Sequence, residues 1–511
     1  MSVIQSIDYA AIGPPVVLGL TAVVVLLLDL FLPPSRRGAA TWIALAGTLG
    51  ALGFTGWLAT DNARGTFCYP HAGCAYVTDD FTMFFQLLFL IVLVVVLLLS
   101  RSAIAEESLP TGEFHFLLLS SATGMLVLAA GRDLITLLVA LEVVSLPAFV
   151  LVGLRRGDAR ASEAALKFFL FSVVSTGLTV YGMALTYGVT GTLQVDGIRS
   201  ALDGVHVAGG PKSSLAAAAV VLVVVGFAFK VSAVPFHFWT PDTYQGAPVP
   251  VAAFLSTASK AAGFAGLLVL LFDAFGPYAD VWGPVVAVLA AVTMTVGNLV
   301  ALRQWHLVRL LAWSTVAQAG YMLVPLGVAA TSAGRDIPEL KSAGEALLIY
   351  LAIYVAMNLG AFACAIAVMR REPRGAITDL RGLVRRSPLL AIVFALFLTA
   401  LAGLPPGVAG LFAKVVVLRE AVHGHVTWLA VVAAVNAVIG LAYYLRVAAL
   451  MFAGADDEEP VRAPTVAARR SPTVTAGVSI SLAATLGLSV YPQPVFDFAR
   501  HAVGVTNAAH P

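Results

Sequence analysis

The stretch "GFAFKVSAVPFHFWTPDTYQGAPVPVAAFLSTASKAAGF" (226–264) places two lysines and four prolines in a largely apolar sequence. Pro235 lacks a backbone donor and clashes with the preceding turn, so we predict that "FKVSAVPFHF" breaks the helix. Irregular backbone at membrane depth is tolerated only where it is buried in protein or lines a wet cavity. Carbonyls freed around Val231 would then bind water beside the Lys230 amine. The apolar neighbours of Lys230 favour its neutral form.

The composition of the whole chain indicates a membrane protein. The chain has 511 residues, of which 59% are hydrophobic and only 11% are charged. Soluble domains are about 25% charged. The net charge of +2 gives no indication of a nucleic-acid partner. The apolar run at 16–34 has no basic region before it, so we interpret it as a first spanning helix and not as a cleaved signal.

Apolar runs separated by polar or Gly/Pro-rich loops predict an all-α polytopic fold with about fourteen transmembrane helices. The seventh and twelfth helices should be broken by proline, at Pro235 and at Pro405 and Pro406. The predicted segments are 13–32, 40–60, 80–100, 112–130, 133–154, 161–188, 214–244, 248–274, 281–302, 306–328, 343–370, 386–421, 426–451 and 473–495.

The five-helix interval between the two broken helices suggests inverted repeats, a common transporter plan. We therefore expect four N-terminal helices in 1–130, the fourth of which begins a first bundle over 112–274. A second bundle would cover 281–451, and 452–511 would hold a loop, helix fourteen and the C-terminus.

The distribution of lysine and arginine predicts the orientation. With the N-terminus outside, inner loops and adjoining helix ends hold 18 of the 30 basic residues, and outer ones hold 8. Both termini should therefore lie on the outer side of a bacterial plasma membrane. The remaining four basic residues, Lys167, Lys230, Lys260 and Lys414, all lie inside apolar segments. Arginine stays charged in proteins, whereas a desolvated lysine can release its proton, so these four are candidates for titration.

Glu142, in "LLVALEVVSLPAF", is the natural partner for one of these lysines. A carboxylate close to a lysine favours the protonated amine, and its withdrawal favours the neutral one, so a movable pair would switch proton affinity. The alternative for Glu142, Lys230 and Lys260 is a static buried ion pair. Lys167 and Lys414 lie nearer helix ends, where a side chain can instead reach the interface. His237, seven residues after Lys230, either extends the path or is a hydrogen-bonded core histidine.

The cysteines leave alternatives open. Cys68 and Cys74 in "CYPHAGC" could form a disulfide if the loop is outside, hold a metal, or remain free thiols. Cys364 lies in an apolar run and is expected in the core. The sequence has no Walker motif, dinucleotide fingerprint, nucleophile elbow, CxxC, HExxH or regular bis-histidine pattern. We therefore expect no cofactor or metal in this chain.

Several motifs resemble the antiporter-like membrane subunits of proton-pumping NADH–quinone oxidoreductase, respiratory complex I. Besides 226–264, these motifs are "LEVVSLPAFVLVG", "SEAALKFFLFSVVSTGLTVYGMALTYGVTGT", "RLLAWSTVAQAGYM" and "LAGLPPGVAGLFAK". The resemblance implies proton-transfer roles for Glu142, Lys167, Lys230, Lys260 and Lys414. In helix ten the family's Asp/Asn–apolar–Lys–Arg pattern is replaced by "HLVR", so any basic role there falls to His306 or Arg309. Lysine at 414 and an end after fourteen helices resemble the N-type subunits.

The resemblance implies a translocase subunit without a redox centre of its own. NAD, FMN, iron–sulfur clusters and quinone would belong to the complex, and the partners would be other membrane-arm subunits, including further antiporter-like ones, and the lipid bilayer. One alternative is a subunit of a multisubunit cation/proton antiporter, which shares these lysines. Another is a structural spacer in the membrane with vestigial charges.

Overall fold

The computed structural model describes residues 7–33, 36–69, 73–207, 213–454 and 471–504. It consists of nineteen helices and one β-hairpin within those ranges. Their bounds are α1 Gly13–Phe31, α2 Ala39–Leu58, β1 Arg64–Tyr69, β2 Gly73–Thr78, α3 Asp80–Glu106, α4 Thr111–Ala130, α5 Leu134–Val152, α6 Ala159–Thr190, α7 Val195–Val207, α8 Ser214–Lys230, α9 Trp239–Gly246, α10 Val249–Ala274, α11 Ala279–Ala301, α12 Leu307–Leu323, α13 Ile337–Met369, α14 Leu383–Arg386, α15 Pro388–Ala402, α16 Val408–His423, α17 Thr427–Phe452, α18 Pro472–Val490 and α19 Gln493–Gly504.

The predicted all-α membrane fold is confirmed. Eleven of the described helices are long and apolar enough to cross a membrane. The other three predicted segments correspond to the pair α8 and α9, to α12, and to the pair α15 and α16. Parts of the predicted final region, 455–470 and 505–511, lie outside the described residues.

Both predicted helix breaks are present. Helix α8 ends at Lys230 and α9 starts at Trp239, with a cis Val234–Pro235 bond between them. Helix α15 ends at Ala402 and α16 starts at Val408, with a cis Pro405–Pro406 bond in the gap. Each break therefore leaves several residues of non-helical backbone in the middle of an apolar segment.

Two central helices are shielded from lipid by the rest of the chain. The apolar windows of α10 and α13 are 100% and 94% buried, whereas that of α1 is only 28% buried. Helix α10 is not a regular α-helix, since Leu255–Ser259 and Val269–Ala274 are π-helical. Such π segments are frequently found at functional sites. Lys260 directly follows the first π segment. Because α10 is fully buried, this lysine lies in the protein interior.

The segment containing Cys68 and Cys74 is a β-hairpin and not the simple loop that its sequence had suggested. β1 and β2 pair antiparallel, with Cys68 opposite Cys74. Arg64 in β1 binds Asp8 at 3.0 Å and Asp61 at 2.6 Å. The hydrogen bond from Arg64 lowers the pKa of Asp8, so this contact with the segment before α1 persists at neutral pH. Strands this short carry a weak pattern in sequence.

Candidate functional site

Lys230 contacts α5 through a hydroxyl and not through a carboxylate. Its side chain is 3% exposed, and Nζ donates to Ser145 Oγ at 2.9 Å. Ser145 in turn donates to the Leu141 carbonyl at 2.8 Å. Glu142, on the same helix, accepts a hydrogen bond from Thr176 Oγ1 of α6 at 2.7 Å. Within the described residues Glu142 and Lys230 form no ion pair, so the predicted pair is separated here.

Lys260 joins the first helix break to α12. Its Nζ donates to the Val231 carbonyl at 3.0 Å and to the Thr315 carbonyl at 3.3 Å, and its side chain is 1% exposed. The Val231 carbonyl is available because α8 ends at the preceding residue. Gly263 lies against the stem of Lys230, since a Cβ there would approach Lys230 Cγ to 3.0 Å. Lys230 and Lys260 thus flank the same piece of non-helical backbone.

Lys414 has an equivalent position at the second break. Its Nζ donates to the Ala402 carbonyl at 2.6 Å, where α15 ends. It also lies 5.5 Å from the ring centroid of Tyr321, a favourable distance for a cation over an aromatic face. The side chain is 7% exposed. Each half of the molecule therefore directs a buried lysine at a carbonyl freed by a proline-containing break.

A row of polar side chains fills the space between the two breaks. Thr315, whose carbonyl accepts from Lys260, also accepts at its Oγ1 from Tyr354 Oη at 3.3 Å. Gln318, one turn along α12, donates to the Leu401 carbonyl at 3.3 Å and to Tyr444 Oη at 3.2 Å. Its Oε1 accepts from Tyr350 Oη at 2.5 Å. Gln318 thus reaches the carbonyl next to the one that Lys414 binds.

Sequence reasoning missed the members of this row. The available signal was the spacing of polar residues within the apolar "RLLAWSTVAQAGYM", since Gln318 lies four positions after Ser314 and three after Thr315, which places it on the same helix face as each of them. Hydroxyl and amide side chains in an apolar helix commonly serve only to bond neighbouring helices. Their alignment between two lysines becomes visible only in the folded chain.

Lys167 lies apart from this buried row, at the rim of a cavity. Its Nζ binds Glu163 at 2.7 Å and Asp242 at 2.8 Å, and the side chain is 39% exposed. Arg309 binds the other oxygen of Asp242 at 2.6 Å and also Gln245 at 3.0 Å. Asp242, in α9, therefore bridges two cations from α6 and α12. Asp242 is therefore a further candidate residue, in addition to those predicted from the sequence.

The cavity beside Asp242 has a volume of about 1020 Å³ and is lined by charged groups from several helix ends. Its charged lining includes Glu107, Arg155, Asp158, Glu163, Lys167 and Asp242. His306 also lines it, directly before α12. All these helix ends lie on the same side of the bundle. The cavity therefore brings charged groups from several helix ends next to α9, which starts directly after the first break.

His237 occupies the first break without a defined path to Lys230. The seven-residue spacing does not align the two on one helix face, because α8 ends between them. The ring is 4% exposed, meets Trp313 edge-on at 5.2 Å, and its Nδ1 has no partner among the described residues.

The cysteines form no metal site in the described part of the chain, where no cluster of three or more potential ligands occurs. Cys68 and Cys74 are bonded to each other across the hairpin. Cys364 is fully buried within α13.

Comparison with known proteins places this arrangement in a family. The family described as "NADH:quinone oxidoreductase/Mrp antiporter, TM" matches residues 131–440, which include both breaks and all five predicted proton-transfer residues. NADH-quinone oxidoreductase subunit N 2 of Streptomyces griseus subsp. griseus is 48% identical over 514 residues, covering 98% of this chain and 94% of the relative.

Solved structures agree with this assignment. A chain of respiratory complex I from Thermus thermophilus is 33% identical, with a TM-score of 0.74 over 95% of this chain and 98% of its own. A chain of the Mrp complex from Dietzia sp. has a TM-score of 0.78 over 96% and 97%, but is only 21% identical, so it shares the fold. This chain therefore belongs to the subunit N family of NADH-quinone oxidoreductase, the antiporter-like, proton-translocating membrane subunits of respiratory complex I.

Proposed function

We propose that protons cross this subunit along a row that consists of the half-buried Glu142 and the buried Lys230, Lys260, Gln318 and Lys414, and that the cavity at Lys167 and Asp242 is their inlet. The observation that carries the proposal is the repeated geometry at the two breaks. In each, a buried lysine donates to a carbonyl that the break has freed, Lys260 to Val231 and Lys414 to Ala402. Water can replace such an amine at such a carbonyl, which a regular helix would not permit.

Lys230 holds the transported proton in this proposal, and Glu142 sets its affinity. Ser145 lies three residues after Glu142 on α5, and its hydroxyl already accepts a hydrogen bond from Lys230. A shift of Glu142 from Thr176 toward Ser145 would bring the carboxylate to the amine and favour its protonated form. The return shift would favour release. Lys260 then relays between the halves, and Lys414 lies on the exit or coupling route.

The two breaks also support the predicted division into bundles 112–274 and 281–451, one break in each. Of the four helices within 1–130, α1, α2 and α3 pack against α4, which begins the first bundle. Both termini lie on the outer side in this proposal, because the excess of basic loop residues then faces inward. The Cys68–Cys74 disulfide is on the outer, oxidising side, and the charged cavity opens inward.

The driving energy comes from partner subunits. A subunit of this family acts within an NADH–quinone oxidoreductase, whose NAD, FMN, iron–sulfur clusters and quinone we assign to other chains. Further antiporter-like subunits would lie beside this one in the bacterial plasma membrane. Changes of charge in those subunits would move the Glu142 side chain between Thr176 and Ser145. This movement would couple electron transfer to proton transfer along the row.

Gln318→Leu tests whether the row is continuous. Leucine keeps the volume but removes the amide that meets the Leu401 carbonyl, Tyr350 and Tyr444. We expect NADH-driven proton uptake by vesicles containing the complex to fall by about 10-fold, less than for a group that itself titrates.

Gln86→Leu is the matched control for Gln318→Leu. Gln86 is also fully buried and bonds the Leu126 carbonyl and Tyr76, but it lies outside the row. Equal proton uptake in the Gln318 variant and the wild type, with the complex assembled, would reject a path through Gln318.

Asp242→Cys tests the inlet and the orientation together. The change leaves Lys167 and Arg309 without their shared carboxylate. We expect proton uptake to fall by about 10-fold, because water in the cavity partly replaces a single lost group. A membrane-impermeant maleimide should label the new thiol only from the inner side.

Glu107→Cys is the control for Asp242→Cys, since Glu107 lines the same cavity and pairs with Arg155 at 2.6 Å. Its thiol should also label from the inner side, and its proton uptake should stay near that of the wild type. Labelling of either thiol from the outer side would overturn the orientation, and equal activity in both variants would overturn the inlet.

A further inference from the structure

A second cavity lies at the opposite end of the bundle, away from the proposed proton row. It is a groove of about 900 Å³ between the β-hairpin and helices α1, α4, α5 and α6. Apolar side chains form most of its wall, among them Val16, Val127 and Ile135. Val16 and Ile135 are 45% and 50% exposed, so the rest of this chain leaves the groove open on that side. It lies at the membrane boundary, because α1 and α5 begin there and α6 ends there.

Two acceptor groups lie side by side at the base of this groove. Asp133 and Gln194 form an isolated antiparallel bridge. The backbone bonds flank them, from Leu134 N to the Leu193 carbonyl and from Val195 N to the Arg132 carbonyl, both at 3.0 Å. In such a non-hydrogen-bonded pair the two side chains project on the same face at close range. The backbone therefore fixes the carboxylate and the amide next to each other.

Both side chains keep an oxygen with no donor among the described residues. Asp133 Oδ1 caps α5 by accepting from Ile135 N and Thr136 N at 2.9 Å each, whereas Oδ2 is buried without a partner. Gln194 Oε1 is also buried and unpartnered. The residues are 7% and 9% exposed. A buried carboxylate oxygen without a donor is costly, so a donor from outside this chain would stabilise the site.

The neighbouring arginine does not supply that donor. Arg132 directs its guanidinium to Asp79 at 2.8 Å and to the carbonyls of Ala129 and Gly131. No basic side chain lines the groove in the described part of the chain. The bottom of the groove therefore holds the Asp133 carboxylate, and the walls above it are apolar.

We propose that this groove binds a phospholipid with a primary ammonium headgroup, such as phosphatidylethanolamine. The ammonium donates to Asp133 Oδ2 and Gln194 Oε1, and an acyl chain packs along Val16, Ile135 and Tyr187. A choline headgroup has no N–H to donate to either oxygen. A glycerol headgroup has no cation for the carboxylate, and its phosphate would meet Asp133 as a like charge.

The test uses the intact complex in nanodiscs with photoreactive lipids. Phosphatidylethanolamine and phosphatidylcholine carrying the same photoreactive acyl chain are compared by their cross-linking yield at groove residues, measured by peptide mass spectrometry. We expect the ethanolamine lipid to label at least about fivefold more than the choline lipid, as an ammonium–carboxylate hydrogen bond implies. Equal labelling would overturn the proposal.

Asp133→Asn should remove this preference while keeping the helix cap, because asparagine caps as well as aspartate. Asp158→Asn is the matched control, since Asp158 caps α6 in the same way at the other end of the bundle. The Asp158→Asn variant should keep the preference for the ethanolamine lipid over the choline lipid. Val16→Trp, which fills the groove and alters no charge, should lower labelling by both lipids. An unchanged preference in Asp133→Asn would overturn the proposal, as would a side chain of a neighbouring subunit bound at Asp133 Oδ2 in the complex.

Discussion

Lys230→Met should slow proton transfer through this subunit by about 100-fold or more while the complex stays assembled. Methionine has nearly the length of lysine and suits an apolar site, so the helix end should pack as before. It removes the amine that donates to Ser145 and that we propose carries the proton. A proton-transfer group typically contributes 100-fold or more to rate. The measurement is NADH-driven acidification of vesicles, normalised to assembled complex on a native gel.

Two further variants separate this role from a static charge. Lys341→Met changes a lysine near the start of α13 outside the row, and should leave acidification near the wild-type rate. Lys230→Arg keeps a positive charge that cannot be released. It should be as inactive as Lys230→Met if Lys230 titrates. Substantial acidification by Lys230→Arg would favour a fixed positive charge that does not titrate, and acidification by Lys230→Met would support the membrane-spacer interpretation.

Lys260→Met should disconnect the two halves of the subunit. The change leaves the Val231 and Thr315 carbonyls without the Lys260 donor. Each buried acceptor that loses its donor costs about 1–3 kcal/mol, so a lower melting temperature of the complex should accompany the loss. Proton uptake should fall by about 100-fold, because Lys260 is the titrating group between the first break and α12 in the proposed row.

The double variant Lys260→Met/Gln318→Leu shows whether these groups share one path. Residues that act as a unit lose function non-additively. The double variant should therefore be no slower than Lys260→Met alone, within about twofold. If the fold-losses of the two single variants multiply in the double variant, the groups lie on two independent routes. Wild-type proton uptake in Lys260→Met would remove this lysine from the path.

Much of the fold could be predicted because burial in lipid leaves a strong record in sequence. A spanning helix needs about 20 apolar residues, so the fourteen segments were visible as runs. A proline inside such a run marks a break, as at Pro235 and Pro405. The β-hairpin and the amphipathic α7 and α19 were missed, because short elements at the membrane boundary lack a long apolar pattern.

The candidate site was only partly predictable. Lysines in apolar runs are conspicuous because each carries a large desolvation cost, which is why Lys230 and Lys260 could be selected from the sequence. Asp242 was overlooked because it lies in a polar stretch after the break, where a carboxylate costs little. Its importance follows from its contacts with Lys167 and Arg309, which come from two other helices.

The sequence by itself determined that this chain is a membrane protein with two broken helices and a set of lysines placed away from the loops. Those features follow from two local effects. One is the free energy of transferring each residue into an apolar phase, and the other is the disruption of the preceding helical turn by proline. Only the tertiary structure decided which groups meet. It holds Glu142 at Thr176 and away from Lys230, and it inserts Gln318 between the two breaks. Such contacts join residues far apart in the chain, and their geometry depends on how all the helices pack together.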